Sequence, residues 1–159
     1  MPKITLRPMS HSEFAAWAKS QTADYAEDKQ RSLGISRDQA MALAERSFAD
    51  LLPDGMATKG AFLYVAETPN KTPVGSLWFN VSEPHGETEC FVFDIVVDTN
   101  HRRKGYARQM LKNLNSIARD LGATKIGLHV FGFNDAAIAL YRSVGFEVTD
   151  MTMVRQVTT

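Results

Sequence analysis

Apolar residues in this sequence recur with two different periods, and the period changes along the chain. Near the N-terminus, a two-residue alternation over KITLRPM predicts a short strand. Between residues 61 and 98, three apolar segments separated by the turn-rich sequences TPNKTP and EPHGETE predict an antiparallel meander. Gly75 within the second segment indicates a bulge. The third segment, CFVFDIVVD, is almost wholly apolar, which is typical of a strand buried on both faces.

A spacing of three to four residues between apolar positions predicts four helices around these strands. The first begins at Ser10 or Ser12, of which Ser10 has the spacing of a capping box with Glu13, and it ends at Gly34. Ser36 begins the second, and a third, strongly amphipathic helix covers residues 103–121. After another strand, TKIGLHVFG, a short helix begins at Asn134, and a strand or hairpin is expected at the C-terminus.

This order of elements predicts one α/β domain over residues 1–159, with an antiparallel front half and a βαβ-like back half.

The amino-acid composition narrows the classes of function that fit this chain. The 18 basic and 18 acidic residues balance, which argues against general binding to nucleic acid or a membrane surface. One cysteine, Cys90, excludes a disulfide framework and a cysteine-rich metal site. The sequence has no long apolar run and no secretory signal pattern, so we expect a cytoplasmic protein. We also expect no bound metal.

The segment HRRKGYARQM, residues 101–110, concentrates basic residues where the third helix is expected to begin. Cations oppose the helix dipole there, by some tenths of a kcal/mol each, so the pattern is unfavourable as a solvated helix start. A helix N-terminus leaves about four backbone N–H groups unpaired, and a glycine allows a ligand to approach the backbone. The pattern therefore favours a phosphate site, although the spacing matches neither a dinucleotide loop nor a Walker loop.

Two blocks of the sequence resemble the GNAT superfamily of acetyl-CoA-dependent N-acetyltransferases. The run RRKGYA is similar to the superfamily's Arg/Gln-x-x-Gly-x-Gly/Ala motif, and FDIVVD before it resembles the central strand. LHVFGFNDAAIALYRSVGFE resembles the second block, while Thr99 replaces the usual proline after the strand. Together the blocks cover residues 91–148. The resemblance implies a single N-acetyltransferase domain of α/β (α+β) class, with a mostly antiparallel sheet flanked by helices and a splayed strand pair at the cofactor site.

The resemblance also implies acetyl-CoA as the cosubstrate. Backbone amides from Arg103 to Ala107 would hold the pyrophosphate, and three basic side chains would neutralise it. The peptide-like arm would pair with the strand at Asp94–Val97, and backbone groups there would polarise the thioester carbonyl. Asn134 would bond the arm, although it also has the character of a helix cap. The implied cofactor-binding residues are Val96, Val97, Arg102, Arg103, Lys104, Gly105, Tyr106, Ala107 and Asn134.

The reaction implied is direct attack of a primary amine on the thioester through a tetrahedral intermediate. An amine with a pKa near 10.4 must first lose a proton, so a base is needed. Asp94 and His129 are the candidates, and each also has a structural interpretation as a hydrogen-bonded or ion-paired strand residue. Tyr141 matches the superfamily's acid for the CoA thiolate, and its alternative role is a core aromatic.

Partners follow from the same resemblance. A small-molecule or peptide amine acceptor is implied, and a homodimer is compatible with it. By family analogy the front helices wall the acceptor site, where Glu27 and Asp28 could attract an amine, while Trp17 and Phe48 are expected in the core. The alternative function is a non-catalytic CoA-binding sensor or interaction module of the same fold. Nucleic-acid binding is disfavoured because no aromatic platform accompanies the basic turn.

Overall fold

The computed structural model describes residues 3–158 of the chain, in two compact units, Met1–His129 and Val130–Thr159. The first unit holds a five-stranded sheet with the spatial order β1-β2-β3-β4-β5. The β1-β2, β2-β3 and β3-β4 pairs are antiparallel, and β4-β5 is parallel. This confirms the expected mixed, mostly antiparallel sheet. The strands are β1 (Thr5–Pro8), β2 (Ala61–Glu67), β3 (Pro73–Ser82), β4 (Glu89–Val97) and β5 (Lys125–Leu128).

Three helices of the first unit are α1 (His11–Leu33), α2 (Arg37–Leu51) and α3 (Tyr106–Asp120). Ser10 caps α1 with a complete capping box, as its spacing predicted, and Ser36 begins α2 with a second capping box that was not predicted. Glu13 of the first box also pairs with Arg7 of β1 at 2.8 Å, which ties the start of α1 to the sheet. Gly34 ends α1 in the left-handed conformation, at φ 67°.

The sheet of the first unit has an apolar core on each face. On the α3 face, Leu77 and Phe79 of β3 are buried with Met110 and Leu114 of α3. On the other face, Trp78 is buried with Trp17 of α1 and apolar residues of β2. Burial of each large apolar side chain contributes roughly 1.5–3 kcal/mol, so both layers hold the sheet in place.

Two register irregularities interrupt the ladders. Beside Gly75, the partners change from Ala66↔Gly75 to Glu67↔Pro73, which confirms a bulge at this point of β3. The second was not predicted: Trp78 pairs with Asp94, but Phe79 pairs with Val92, so Phe93 is an extra residue in β4. Because side chains alternate with a period of two, one extra residue moves all following side chains to the other face.

The pairing of β4 with β5 is incomplete. It covers only Glu89–Val92 against Lys125–Leu128, while β4 continues to Val97. Within the described part of the chain, residues 93–97 have no strand partner on the β5 side. β5 ends at Leu128, where this pairing also ends, so the expected splayed strand pair stays a prediction.

The second unit contains α4 (Asp135–Ser143), which begins at Asn134 as predicted. Residues 146–158 include neither helix nor strand, so the prediction of a terminal strand or hairpin is wrong for these residues. From residue 147 onward the side chains of the alternating pattern that suggested it are exposed, with Met153 86% exposed. Alternation predicts a strand only where one set of side chains is buried and the backbone has a partner.

Candidate active site

The turn before α3 presents a row of unpaired backbone donors. Arg103 (φ 62°) and Gly105 (φ 77°) are left-handed, while Lys104 between them has negative φ. Alternating handedness turns successive N–H groups into an anion-binding concavity. Across residues 3–158, no acceptor bonds the backbone N–H of any residue from 103 to 107. These donors are therefore available to a ligand.

Side chains fix this turn from both ends. Tyr106 is 5% exposed and packs in the core on the α3 face, which anchors the first turn of the helix. Arg102 donates from Nε to the carbonyl of Val97 at 3.1 Å, which ties the turn to the end of β4. Arg102, Arg103 and Lys104 are exposed, and no carboxylate in the described chain forms an ion pair with them. Their charge is thus available to an anion on the same turn.

The end of β4 exposes backbone groups beside that turn. The N–H of Asp98 donates to the carbonyl of Val74 at 2.8 Å, so Val96 and Asp98 direct their backbone groups toward β3. By alternation, Ile95 and Val97 direct theirs toward the edge that β5 leaves open. Gly75 makes this approach possible, since a Cβ there would overlap the carbonyl oxygen of Val96.

A cavity of about 500 Å³ lies between α1 and the ends of β3 and β4 in the first unit. It extends from the Trp17–Asp24 face of α1 to Val97 and Arg102, so one wall adjoins the basic turn. Its lining residues are Met9, Glu13, Ala16, Trp17, Ser20, Gln21, Asp24, Val65, Pro73, Gly75, Ser76, Val96, Val97, Asp98, Thr99 and Arg102.

Asp94 faces α1 because of the bulge at Phe93. Val92 packs on the α3 face, and an uninterrupted strand would have placed Asp94 on that face as well. The Gln21 amide, with its nitrogen toward Asp94, donates to the two carboxyl oxygens at 3.2 and 3.3 Å. Burial raises the pKa of Asp94 to about 7, helped by the charges of Asp24 and Asp28 and opposed by the nearby indole N–H of Trp17. The carboxyl can therefore exchange a proton near neutral pH.

Trp17 combines a core position with a donor close to Asp94. It is 8% exposed and packs edge-on against Trp78, with ring centroids 5.5 Å apart, and it also contacts Phe48. Both Trp17 and Phe48 are therefore core residues, as predicted. The indole N–H of Trp17 interacts with the Asp94 carboxyl and lowers its pKa, although the pair falls short of good hydrogen-bond geometry.

Three predicted residues remain, of which one is in the first unit and two are in the second. His129 follows the last residue of β5 and is exposed. Tyr141 is a half-buried residue of α4 in the second unit, with its ring 5.8 Å from that of Phe146. Asn134 accepts from the N–H of Ala137 at 3.3 Å, so its role as a helix cap is confirmed.

Sequence reasoning missed two contributions to the cavity. Gln21 and Asp24 share the face of α1 that holds Trp17 and Asp28, and the helical spacing 17, 21, 24, 28 could have indicated this. The extra residue at Phe93 has no comparable signal, because neither glycine nor proline marks it in CFVFDIVVD.

Among residues 3–158, no group of three or more His, Cys, Asp or Glu side chains is placed to hold a metal ion. None of the helices formed by those residues is long and apolar enough to cross a membrane.

Comparisons with known proteins agree with this fold. The acetyltransferase (GNAT) family pattern matches residues 16–146. YycN of Bacillus subtilis (strain 168), named an uncharacterized N-acetyltransferase, is 36% identical over 153 residues, covering 96% of this chain and 98% of that protein. The crystal structure of YycN superimposes with a TM-score of 0.93 at 35% identity, over 98% of this chain and 99% of that one. The aminoglycoside N-acetyltransferase AAC(6')-Iy in complex with CoA shares the fold, with a TM-score of 0.63 at 15% identity over 100% and 97% of the chains.

Proposed function

Because the chain belongs to the acetyltransferase (GNAT) family, we propose that it transfers an acetyl group from acetyl-CoA to a primary amine of its acceptor. The observation that carries the proposal is the row of unpaired amides at residues 103–107 beside the open edge of β4. An anion on the turn and a peptide-like arm on the strand would together occupy both features. The single buried cysteine, Cys90, is compatible with a cytoplasmic site of action.

The residues of the turn suit the pyrophosphate of CoA. Amide donors at Gly105 and its neighbours bind phosphate oxygens without losing any hydrogen bond within the protein. Arg102, Arg103 and Lys104 add charge-assisted attraction. The thioester supplies the activated acetyl group, and Val97 is the residue whose backbone N–H faces the open edge where the acyl carbonyl would need a donor.

Asp94 is the proposed general base. Its raised pKa, about 7, lets it be ionised at neutral pH while holding a proton more tightly than an ordinary carboxylate. It lies on the α1 face of β4 beside Gln21, and in this proposal it accepts a proton from the amine directly or through a water. His129 remains the alternative base. For Tyr141 and Asn134 we keep the roles that the family motif implies, as the acid for the thiolate and as a ligand of the arm.

Release of free thiol tests the function. Purified protein is incubated with acetyl-CoA and a panel of primary amines, and we expect thiol release whose kcat/KM rises with pH through about 7 as Asp94 ionises. Asp94→Asn should lower kcat by about 100-fold or more, whereas the matched change His129→Asn should leave most of the activity. The absence both of turnover across the panel and of CoA binding by calorimetry would overturn the proposal. Loss of activity in His129→Asn alone would reassign the base.

A further inference from the structure

Two side chains of α1 act as donors toward one carboxyl of β4. Gln21 donates from its amide nitrogen to the two oxygens of Asp94 at 3.2 and 3.3 Å, and the indole N–H of Trp17 lowers the pKa of the same carboxyl. Trp17 and Gln21 are four residues apart, so they share one face of α1. The helix therefore holds a carboxyl that belongs to the sheet.

These two side chains differ in what they can do once Asp94 takes up a proton. An indole N–H is a donor only, whereas a glutamine amide carries N–H donors and a carbonyl acceptor on one carbon. Half a turn about the terminal torsion of the glutamine exchanges the two. The nitrogen can then donate to the ionised carboxylate, or the oxygen can accept from the protonated acid. Gln21 can thus hold Asp94 in both protonation states, which Trp17 cannot do.

The surroundings of Asp94 make both protonation states accessible. Burial raises the pKa of Asp94 to about 7, and the charges of Asp24 and Asp28, both on α1, act in the same direction. The carboxyl therefore gains and loses its proton within the pH range in which an amine acceptor would be acetylated. A partner that could only donate would lose its best contact at each protonation.

Gln21 also joins Asp94 to the cavity. Among residues 3–158, Gln21 and Trp17 line the cavity, whereas Asp94 does not. A group that enters the cavity therefore meets the side chain of Gln21, which is one hydrogen bond away from the carboxyl. The amide is placed to respond both to the proton on Asp94 and to what the cavity holds.

We propose that Gln21 is a positioning residue for Asp94, and that its amide turns when the carboxyl takes up the proton of the acceptor amine. This inference rests on the proposed acetyl transfer and adds a residue to it. Before the transfer, the amide nitrogen donates to the carboxylate. The proton leaves the amine nitrogen, directly or through a water, and forms an O–H bond on Asp94, while the electron pair stays on the nitrogen to attack the thioester. The amide then turns its oxygen to accept from the new O–H.

The titration of Asp94 tests this role without turnover. NMR of the carboxyl carbons gives its midpoint, and the signal is identified by its loss in Asp94→Asn. Gln21→Met keeps the length and helix propensity of the side chain but removes both polar atoms. The ionised carboxylate then loses the stronger, charge-assisted bond, so the midpoint should rise by about one pH unit. Gln21→Glu leaves only acceptors and adds a like charge, so its midpoint should rise by about two pH units or more.

The turning of the amide has its own signal. In the wild type, the side-chain N–H resonances of Gln21 should shift with the midpoint of Asp94, because these protons face the carboxyl only while it is ionised. Gln30→Met is the matched control. Gln30 lies nine residues further along α1, about 14 Å away and on the opposite face, so its substitution should leave the midpoint of Asp94 unchanged.

Kinetics connect the contact with the reaction. In both Gln21 variants the pH at which kcat/KM for the acceptor rises should move with the midpoint of Asp94, while the KM for acetyl-CoA stays unchanged. A purely structural role of Gln21 would lower activity at every pH and leave this profile in place.

An unchanged midpoint in Gln21→Met would overturn the inference, as would an equal rise in Gln30→Met or N–H resonances of Gln21 that ignore the titration. The two proposals fail separately, because NMR needs no turnover. The expected shifts without thiol release from any amine would support the contact and contradict acetyl transfer. A midpoint that moves while the profile of kcat/KM stays fixed would contradict Asp94 as the base, and Gln21 would then have no positioning role in the reaction.

Discussion

Asp94 illustrates how one side chain acquires its properties from its neighbours. An exposed aspartate has a pKa near 3.9 and is a weak base at neutral pH. Here, burial against α1 and two nearby carboxylates raise the pKa to about 7, while the Gln21 amide holds the carboxyl in place. The same environment would accept a cationic amine, because its charge relieves the repulsion that raises the pKa.

The raised pKa has a consequence for stability. Between about pH 4 and 7 the folded protein holds a proton on Asp94 that the unfolded chain has lost, so the free energy of unfolding falls as pH rises across this range. Asn at this position cannot ionise. Asp94→Asn should therefore be more stable than the wild type at about pH 8, by about 2 to 4 kcal/mol, with little difference at about pH 4. Urea unfolding at both pH values measures this, and a difference in stability that does not vary with pH would contradict the assigned environment.

At the scale of elements, the site depends on where β4 departs from regular pairing. The bulge at Phe93 places Asp94 on the α1 face, and the early end of β5 leaves the backbone of residues 93–97 open. Gly75 permits the close approach of β3 to Val96. Each irregularity removes ladder hydrogen bonds or side-chain packing, and each supplies a feature that the proposed chemistry requires.

Gly75→Ala tests the close approach. The added Cβ overlaps the Val96 carbonyl, so β3 and β4 must move apart, and we expect a loss of about 1 to 3 kcal/mol in the free energy of unfolding with a rise in KM for acetyl-CoA. Gly132→Ala is the matched control, since a Cβ there meets no atom within 4 Å, and it should change stability by less than about 0.5 kcal/mol. Unfolding curves of both variants measure the free energy of unfolding, and steady-state kinetics measure the KM for acetyl-CoA. Equal effects of the two substitutions would rule out the steric explanation.

Local signals explain which elements could be predicted from the sequence. Capping boxes at Ser10 and Ser36, and the glycine that ends α1, lie in the sequence and act within one helical turn, so the helices were predictable. The sheet order followed from short turn-rich connections. The bulge at Phe93 depends on the packing of two sheet faces, and the pairing of Asp94 with Gln21 depends on that bulge. Such effects join residues about 70 positions apart and leave no local pattern.

For the molecule as a whole, two requirements of acetyl transfer meet in the first unit. The basic turn supplies donors and positive charge, Asp94 on the α1 face of β4 supplies a carboxyl of neutral pKa, and Asp24 on the cavity wall adds negative charge. The positive charge at the basic turn suits an anionic cosubstrate, and the negative charge on the α1 side suits a cationic acceptor. This separation is local, because the whole chain has a formal net charge of zero.

Calorimetric binding of CoA to Gly105→Glu and Gly122→Glu shows whether the amides at the start of α3 hold the diphosphate. Both glycines are left-handed, at φ 77° and 81°, and they flank opposite ends of α3, so the backbone strain of substitution is similar. We expect Gly105→Glu to weaken CoA binding by about 100-fold or more, since its side chain brings negative charge into the phosphate site. Gly122→Glu should bind CoA within about threefold of the wild type, with a comparable fall in Tm. Tight CoA binding by folded Gly105→Glu would contradict the assignment of the diphosphate to the amides at the start of α3.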